Sequence, residues 1–224
     1  MKTHMQISNI LGALALIAIS STSQATPYTD ETAWRAAVGN VFAFENFDGI
    51  ASGSDVNQLA ALGIQFNPLN DGTQPTVQQY AQTGGLVRSG PNNLLNDRDF
   101  SLPGRGPYNM RAINPSDFIF GVGLWNVGGD DQLRMTYFDP LDNIIESVVS
   151  ASGTGFFGIV NPLGASRIQI DFVGGNGYAP VDDLQTAVRP TFVPNPNQVP
   201  EPASLALLAL GLAGLGIARK RKCD

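Results

Sequence analysis

Leu133-Arg-Met-Thr-Tyr-Phe138, Asp139-Pro-Leu-Asp-Asn143 and Ile144-Ile-Glu-Ser-Val-Val149 are consecutive, and their reading decides the fold. The first and last are rich in β-branched and aromatic residues. The middle five are turn formers, with Pro after Asp and Asn at the close. Leu133 to Val149 is therefore expected to be a β-hairpin with a slightly long loop. Working outward, the rhythm repeats about every ten residues. It predicts strands at Val41–Phe47, Ile64–Asn67, Val77–Tyr80, Tyr108–Ile113, Phe118–Val127, Gly155–Val160, Arg167–Phe172 and Val181–Val188. Gly, Pro, Asn and Asp punctuate them. Helix signal is scarce. Asp30 to Val38 predicts one short helix with Asp30 as N-cap and Gly39 as stop, and Val56 to Leu62 predicts another. The expected fold is an all-β, jelly-roll-like antiparallel sandwich. Residues 67–105 read as long loops.

Both ends of the chain read as something other than core. Lys2 precedes an unbroken apolar run from Ile10 to Ile19, and Ser23-Gln-Ala25 places small residues at −3 and −1 of a cleavage site. Residues 1–25 are expected to be a secretory signal peptide cut after Ala25 by signal peptidase, after export through the Sec translocon. At the other end, prolines at 190, 194, 196, 200 and 202 mark residues 191–199 as a semi-rigid stalk. Pro200-Glu201-Pro202 follows, then sixteen small and apolar residues from Ala203 to Ala218, then Arg219-Lys220-Arg221-Lys222. As a helix the apolar run spans about 24 Å, a little less than a hydrocarbon core of about 30 Å. Snorkelling of the basic residues covers the shortfall. The cluster is expected to remain on the cytoplasmic side, as a membrane stop.

Pro-Glu-Pro, an apolar helix and a basic run, in that order at the C-terminus, resemble the PEP-CTERM sorting signal of Gram-negative bacteria. Residues 200–222 coincide with it, and Cys223-Asp224 trails. The resemblance implies that an exosortase engages the chain near the motif. The protein then passes transiently through the inner membrane to the cell surface or the exopolysaccharide matrix of a biofilm. The domain between the tags (residues 26–190) resembles those found ahead of such signals, at Phe44-Glu-Asn-Phe-Asp48, Leu62-Gly-Ile-Gln-Phe66, Phe118-Ile-Phe-Gly-Val-Gly-Leu124, Gly155-Phe-Phe-Gly158, Arg167-Ile-Gln-Ile170 and Val181-Asp-Asp-Leu184. It is similar to the jelly rolls of carbohydrate-binding modules.

Composition narrows the chemistry. His4, Cys223 and the three lysines all lie outside residues 26–198, which hold eight Arg against seventeen Asp plus Glu, a net of −9. Ser-His-Asp and Cys-His nucleophile systems, lysine Schiff bases, Cys/His zinc sites and internal disulfides are excluded. An acidic, lysine-free surface argues against nucleic acid. Oxygen-rich chemistry remains. Glu45 and Asp183, with Asp182 as alternate, are candidate ligands of one structural calcium ion, which the resemblance to sugar-binding jelly rolls implies at the meeting of first and last strands. Strict alternation places Asp182 and Asp183 on opposite faces, so only one is expected to serve. Glycosidase chemistry needs two facing carboxylates about 5–10 Å apart. Asp130-Asp131 and Asp139/Asp142 are turn residues, and no pair is singled out, so no catalytic residue is expected. Trp125, Tyr137 and Arg134, with Tyr80, Asn126 and Asp130 nearby, are candidates for sugar contact. Phe118, Phe120, Val122 and Leu124 are read as the core face of their strand, leaving Gly121 and Gly123 beside Trp125 to admit a flat ring. The expected function is noncovalent binding to, or packing with, exopolysaccharide. The alternatives are a secreted glycan hydrolase and an adhesin or purely structural matrix subunit.

Overall fold

The computed structural model describes residues 25–39, 42–79, 88–96, 105–129, 132–174 and 178–190. The signal segment before Ala25, the stalk, the Pro200-Glu201-Pro202 motif, the apolar run and the basic cluster Arg219–Lys222 lie outside them, as do Tyr80, Asp130 and Asp131. Among the described residues no helix is long and apolar enough to cross a membrane.

Two antiparallel sheets face each other across one core. The elements, in chain order, are β1 (Thr26–Tyr28), α1 (Glu31–Val38), β2 (Ala43–Glu45), β3 (Gln58–Leu59), a 3-10 turn (Ala60–Leu62), β4 (Ile64–Phe66), β5 (Thr76–Gln79), β6 (Asn92–Leu95), β7 (Tyr108–Ala112), β8 (Asp117–Asn126), β9 (Gln132–Phe138), β10 (Ile144–Val149), β11 (Gly155–Ala165), β12 (Arg167–Val173) and β13 (Val181–Pro190). The seven-stranded sheet runs β1-β11-β8-β13-β6-β5, with β2 also on β13. The six-stranded sheet runs β10-β9-β12-β7-β4-β3.

The hairpin that opened the sequence reading forms as expected. β9 and β10 pair antiparallel, and Asp139 closes the turn by accepting the amides of Leu141 and Asn143 at 2.8 and 2.9 Å. The inner faces bury Ile64, Leu94, Met110, Val122, Leu124, Leu133, Met135, Ile168, Val181 and Leu184. Tyr108 ties the layers together, its hydroxyl donating to the carbonyls of Leu94 and Ala179. Tyr137 does the same nearby: its hydroxyl accepts from the Val122 amide and donates to the Ile159 carbonyl, each at 3.1 Å.

Helix α1 starts where Asp30 accepts the Ala33 amide at 2.7 Å and stops at Gly39, φ 71°. It lies on the outer face of the seven-stranded sheet, burying Trp34 and Val38 against Phe120, Phe156, Val160 and Ala187. Three glycines make that contact possible. A Cβ at Gly158 would stand 2.5 Å from Trp34 Cδ1, at Gly123 3.2 Å from Trp34 Cδ2, and at Gly121 2.7 Å from Val38 Cγ1. The flat ring that Gly121 and Gly123 admit is thus the protein's own indole, whose N–H donates to the Ile159 carbonyl.

Four expectations need correction. Val56–Leu62 is no α-helix: it holds the two residues of β3 and the 3-10 turn, stopped by left-handed Gly63. The even-numbered face of β8 does not hold throughout. Register shifts against β11 and β13 move Ile119 into the inter-sheet core and Phe120 to the helix side. The stretch 67–105 is not all loop, because Asn92–Leu95 is a buried strand whose asparagines disguise it. The first strand is β1, hidden by Pro27, which an edge strand tolerates.

Candidate functional site

The last strand carries the site. β13 pairs Asp182 with Trp125 of β8, then Gln185 with Gly123. Three steps along β13 therefore match two along β8, a β-bulge, and Asp183 within it adopts φ 48°. Here β13 also changes its other neighbour: Val181 pairs with Leu94 of β6, whereas Leu184 pairs with Glu45 of β2. The bulge cancels the alternation that would separate the two aspartates. Both carboxylates face Ser89: its amide reaches Asp182 Oδ2 at 3.0 Å, and its hydroxyl reaches Asp183 Oδ1 at 2.5 Å.

Asp182 is fully buried, and amides take up both oxygens. Arg88 N donates to Oδ2 at 2.8 Å, alongside Ser89 N, and Asp183 N donates to Oδ1 at 2.7 Å. Burial pushes its carboxyl up to about 6 despite those three hydrogen bonds. Burial also raises Asp183. The Ser89 hydroxyl opposes that rise, and the charges of Glu31 and Asp48 add to it, while Arg88 acts against them. Asp48 is held by Asn46 Nδ2 and the Asn92 amide and packs against Gly90.

A rim of charged and aromatic groups stands above this pair. The Arg88 guanidinium lies 4.4 Å from the centroid of the half-buried Trp125 ring. The Trp125 indole N–H donates to Glu31 Oε2 at 3.2 Å. Glu31 Oε1 accepts from Arg35 at 2.6 Å and from Gln185 Nε2 at 2.7 Å, and Gln185 Oε1 accepts from Arg35 Nε at 2.9 Å. The first turn of α1, β8, β13 and the 88–89 segment are joined through one polar network.

The candidate calcium ligands are engaged by the protein's own donors. Glu45 neighbours Leu184, and its carboxylate accepts the Phe47 amide at 2.8 Å. Three of the lone pairs of Asp182 face N–H donors, two on Oδ2 and one on Oδ1. Among the described residues no group of three or more Asp, Glu, His or Cys is placed to hold a metal. The sugar candidates are also dispersed. Tyr137 is fully buried with its hydroxyl engaged, so it offers no ring face. Arg134 lies on the other sheet, 4.0 Å from Asp171. Asn126 is buried and donates to the Gly153 carbonyl. Trp125 alone remains at a polar rim. Arg88, Ser89, Glu31, Asp48 and Gln185 were missed. Nothing local in the sequence marks them, because their meeting depends on the bulge and on strand order.

Comparisons with known proteins bear on the end of the chain. No curated protein matches. A DUF4465 family protein from Bacteroides caccae is similar in structure at 12% identity, covering 73% of this chain and 85% of that one, with a TM-score of 0.31. The enzymatically active domain of tailspike protein 4 of bacteriophage CBA120 is similar at 11% identity, covering 72% of this chain and 21% of that one, with a TM-score of 0.27. Residues 198–222 match the PEP-CTERM protein-sorting motif, which implies Sec-type export and exosortase sorting of the β-sandwich that precedes it.

Proposed function

We propose that the exported sandwich binds exopolysaccharide noncovalently at the Trp125 rim, on the surface or in the matrix of a Gram-negative bacterium. The carrying observation is the Arg88 guanidinium stacked on a half-buried Trp125 ring whose N–H is fixed by Glu31. A rigid aromatic edge with charged donors and acceptors locked around it is suited to a polyhydroxylated ligand, since few rotamers need ordering on binding. The alternative, glycan hydrolysis, would need a raised-pKa acid open to substrate. The acid raised to about 6, Asp182, is buried and holds three amide donors. That supports binding over turnover.

The test is a glycan array run beside a reducing-sugar release assay on the full-length chain. Retention of an acidic or neutral exopolysaccharide without release, lost in Trp125→Ala and in Arg88→Ala, is the expected result. Release of reducing ends would establish the hydrolase, and absence of any retained glycan would leave the structural-subunit reading. A melting midpoint unchanged by chelator is expected as well, because a ligand specific to the folded state would raise it.

A further inference from the structure

The arginines of this domain are few, and with one exception the protein's own groups engage them. Among the described residues, Arg35 pairs with Glu31, Arg105 with Asp71, Arg111 and Arg167 with Asp142, and Arg134 with Asp171. Arg189 donates to the Val38 carbonyl at 3.4 Å. Such pairing is expected where acids outnumber arginines seventeen to eight, as they do over residues 26–198.

Arg88 is the exception. It is exposed, and among the described residues its guanidinium makes no hydrogen bond and no ion pair. Its contact is the Trp125 ring, 4.4 Å away at the centroid. A cation–π contact engages the flat face of a guanidinium. The N–H donors lie in its plane and stay free for a partner. Two constraints hold the group in place. The Arg88 amide is anchored on Asp182 Oδ2 at 2.8 Å, and the ring beneath is fixed by its own N–H on Glu31 Oε2 at 3.2 Å. A planar donor fork, positioned in advance and left unpaired, is suited to accept a carboxylate through two parallel hydrogen bonds.

The surrounding charges limit what can bind. Asp183 feels Glu31 and Asp48 as like charges and Arg88 as the opposing one. Glu31 is balanced by Arg35 at 2.6 Å. Arg88 is therefore the cation without a partner beside Asp48, Asp182 and Asp183. One carboxylate matches it. A second negative charge on the same or the next sugar would meet the protein's own carboxylates and be repelled. At physiological salt, repulsion from the rest of the acidic domain is screened beyond about 8 Å, so the contact is decided locally.

We propose that Arg88 is the specificity-determining residue of the Trp125 rim, and that the glycan it selects carries isolated uronate residues separated by neutral sugars. This rests on Trp125 marking a glycan site and goes beyond it in naming the charged substituent.

The test uses the full-length chain in detergent micelles and measures affinity for three probes. Gellan carries glucuronate between neutral sugars. Carboxyl-reduced gellan is the same polymer with each glucuronate converted to glucose. Dextran sulfate is a dense polyanion without carboxylates. Gellan is expected to bind at least about tenfold more tightly than its reduced form, which is the scale of a hydrogen bond to a charged group. Arg88→Gln should bring that ratio within about twofold at an unchanged melting midpoint. Arg88→Lys should keep only part of it, because an ammonium is a point charge without the fork. Equal binding of gellan and its reduced form, both lost in Trp125→Ala, would overturn the assignment and leave the glycan site standing. Dextran sulfate bound as tightly as gellan would overturn it in favour of plain ion exchange. If neither gellan nor any uronate-bearing glycan of the array is retained, the assignment falls. If no glycan of any kind is retained, the Trp125 site falls with it.

Discussion

Among the described residues, the outer face of the seven-stranded sheet is covered by a helix and that of the six-stranded sheet is not. On the covered face, Trp34 lies on a glycine bed and an aspartate pair sits beneath the 88–89 segment. On the bare face, another pair, Asp139 and Asp142, occupies a hairpin turn in water. Covered carboxylates are raised and solvated ones are lowered. The contrast teaches that a carboxylate's role here is set by what the chain folds over it, not by its neighbours in sequence.

The largest expected effect attacks the cover itself. Trp34→Ala removes the larger of the two side chains that seat α1 and leaves a void over the glycines beneath it. A loss of about 3–5 kcal/mol is expected, seen as a fall in melting temperature on the order of 10 °C. A loss below about 1 kcal/mol would mean that α1 is held by its polar network instead. Gly158→Ala approaches the same contact from the sheet side. Its Cβ would sit 2.5 Å from Trp34 Cδ1, and such overpacking costs about 1–3 kcal/mol. At Gly155 an added Cβ meets nothing, so Gly155→Ala is the matched control.

Sequence made strands of both sheets and the helix legible, and left obscure how the chain packs over the seven-stranded sheet. The β9–β10 hairpin, β12 and the caps of α1 could be read locally, since period-two alternation and turn residues determine them. The Asp182–Asp183 bulge could not, because two adjacent aspartates imply opposite faces until a register shift is known. Gly121 and Gly123 were read as room for a ligand's flat ring beside Trp125, but that space holds the protein's own Trp34, brought there from far along the chain by the topology. Asn92–Leu95 was unreadable as a strand because two asparagines open it, of which Asn92 donates to the distant carbonyls of Phe47 and Ile50.

Stability against pH sharpens the contrast between the two aspartate pairs. Asp182 is raised from an unfolded value near 3.9 to about 6. Between those values the folded chain retains a proton that the unfolded chain has lost, so stability falls as pH rises through the window, by on the order of 3 kcal/mol. Asp139 and Asp142 act oppositely. Hydrogen bonds from the Asn143 side chain and from Arg167, respectively, lower them, so their contribution is present above about pH 4 and lost as pH falls through their folded values. Melting temperature is expected to peak between about pH 4 and 5. Asp182→Asn should flatten the limb above the peak and leave the acid limb intact. A wild-type midpoint that does not change from pH 4.5 to 7 would show that Asp182 is not buried in solution.

The smallest effect is expected at the bare turn. Asp142 is 60% exposed and accepts from Arg167 Nε at 2.8 Å. Exposed ion pairs contribute little and are screened by salt, so Asp142→Asn should lower the midpoint by less than about 2 °C. Arg167 is differently placed. Its guanidinium stacks 3.5 Å from the Phe138 ring centroid and donates to Asn109 Oδ1, and its side chain is only 11% exposed. Arg167→Ala should therefore cost clearly more than Asp142→Asn, through lost packing rather than lost charge. The excess should persist in 1 M salt, where the ion pair is screened within about 3 Å. Equal losses from the two substitutions, both abolished by salt, would make the ion pair the source of stability and remove the distinction between the two faces.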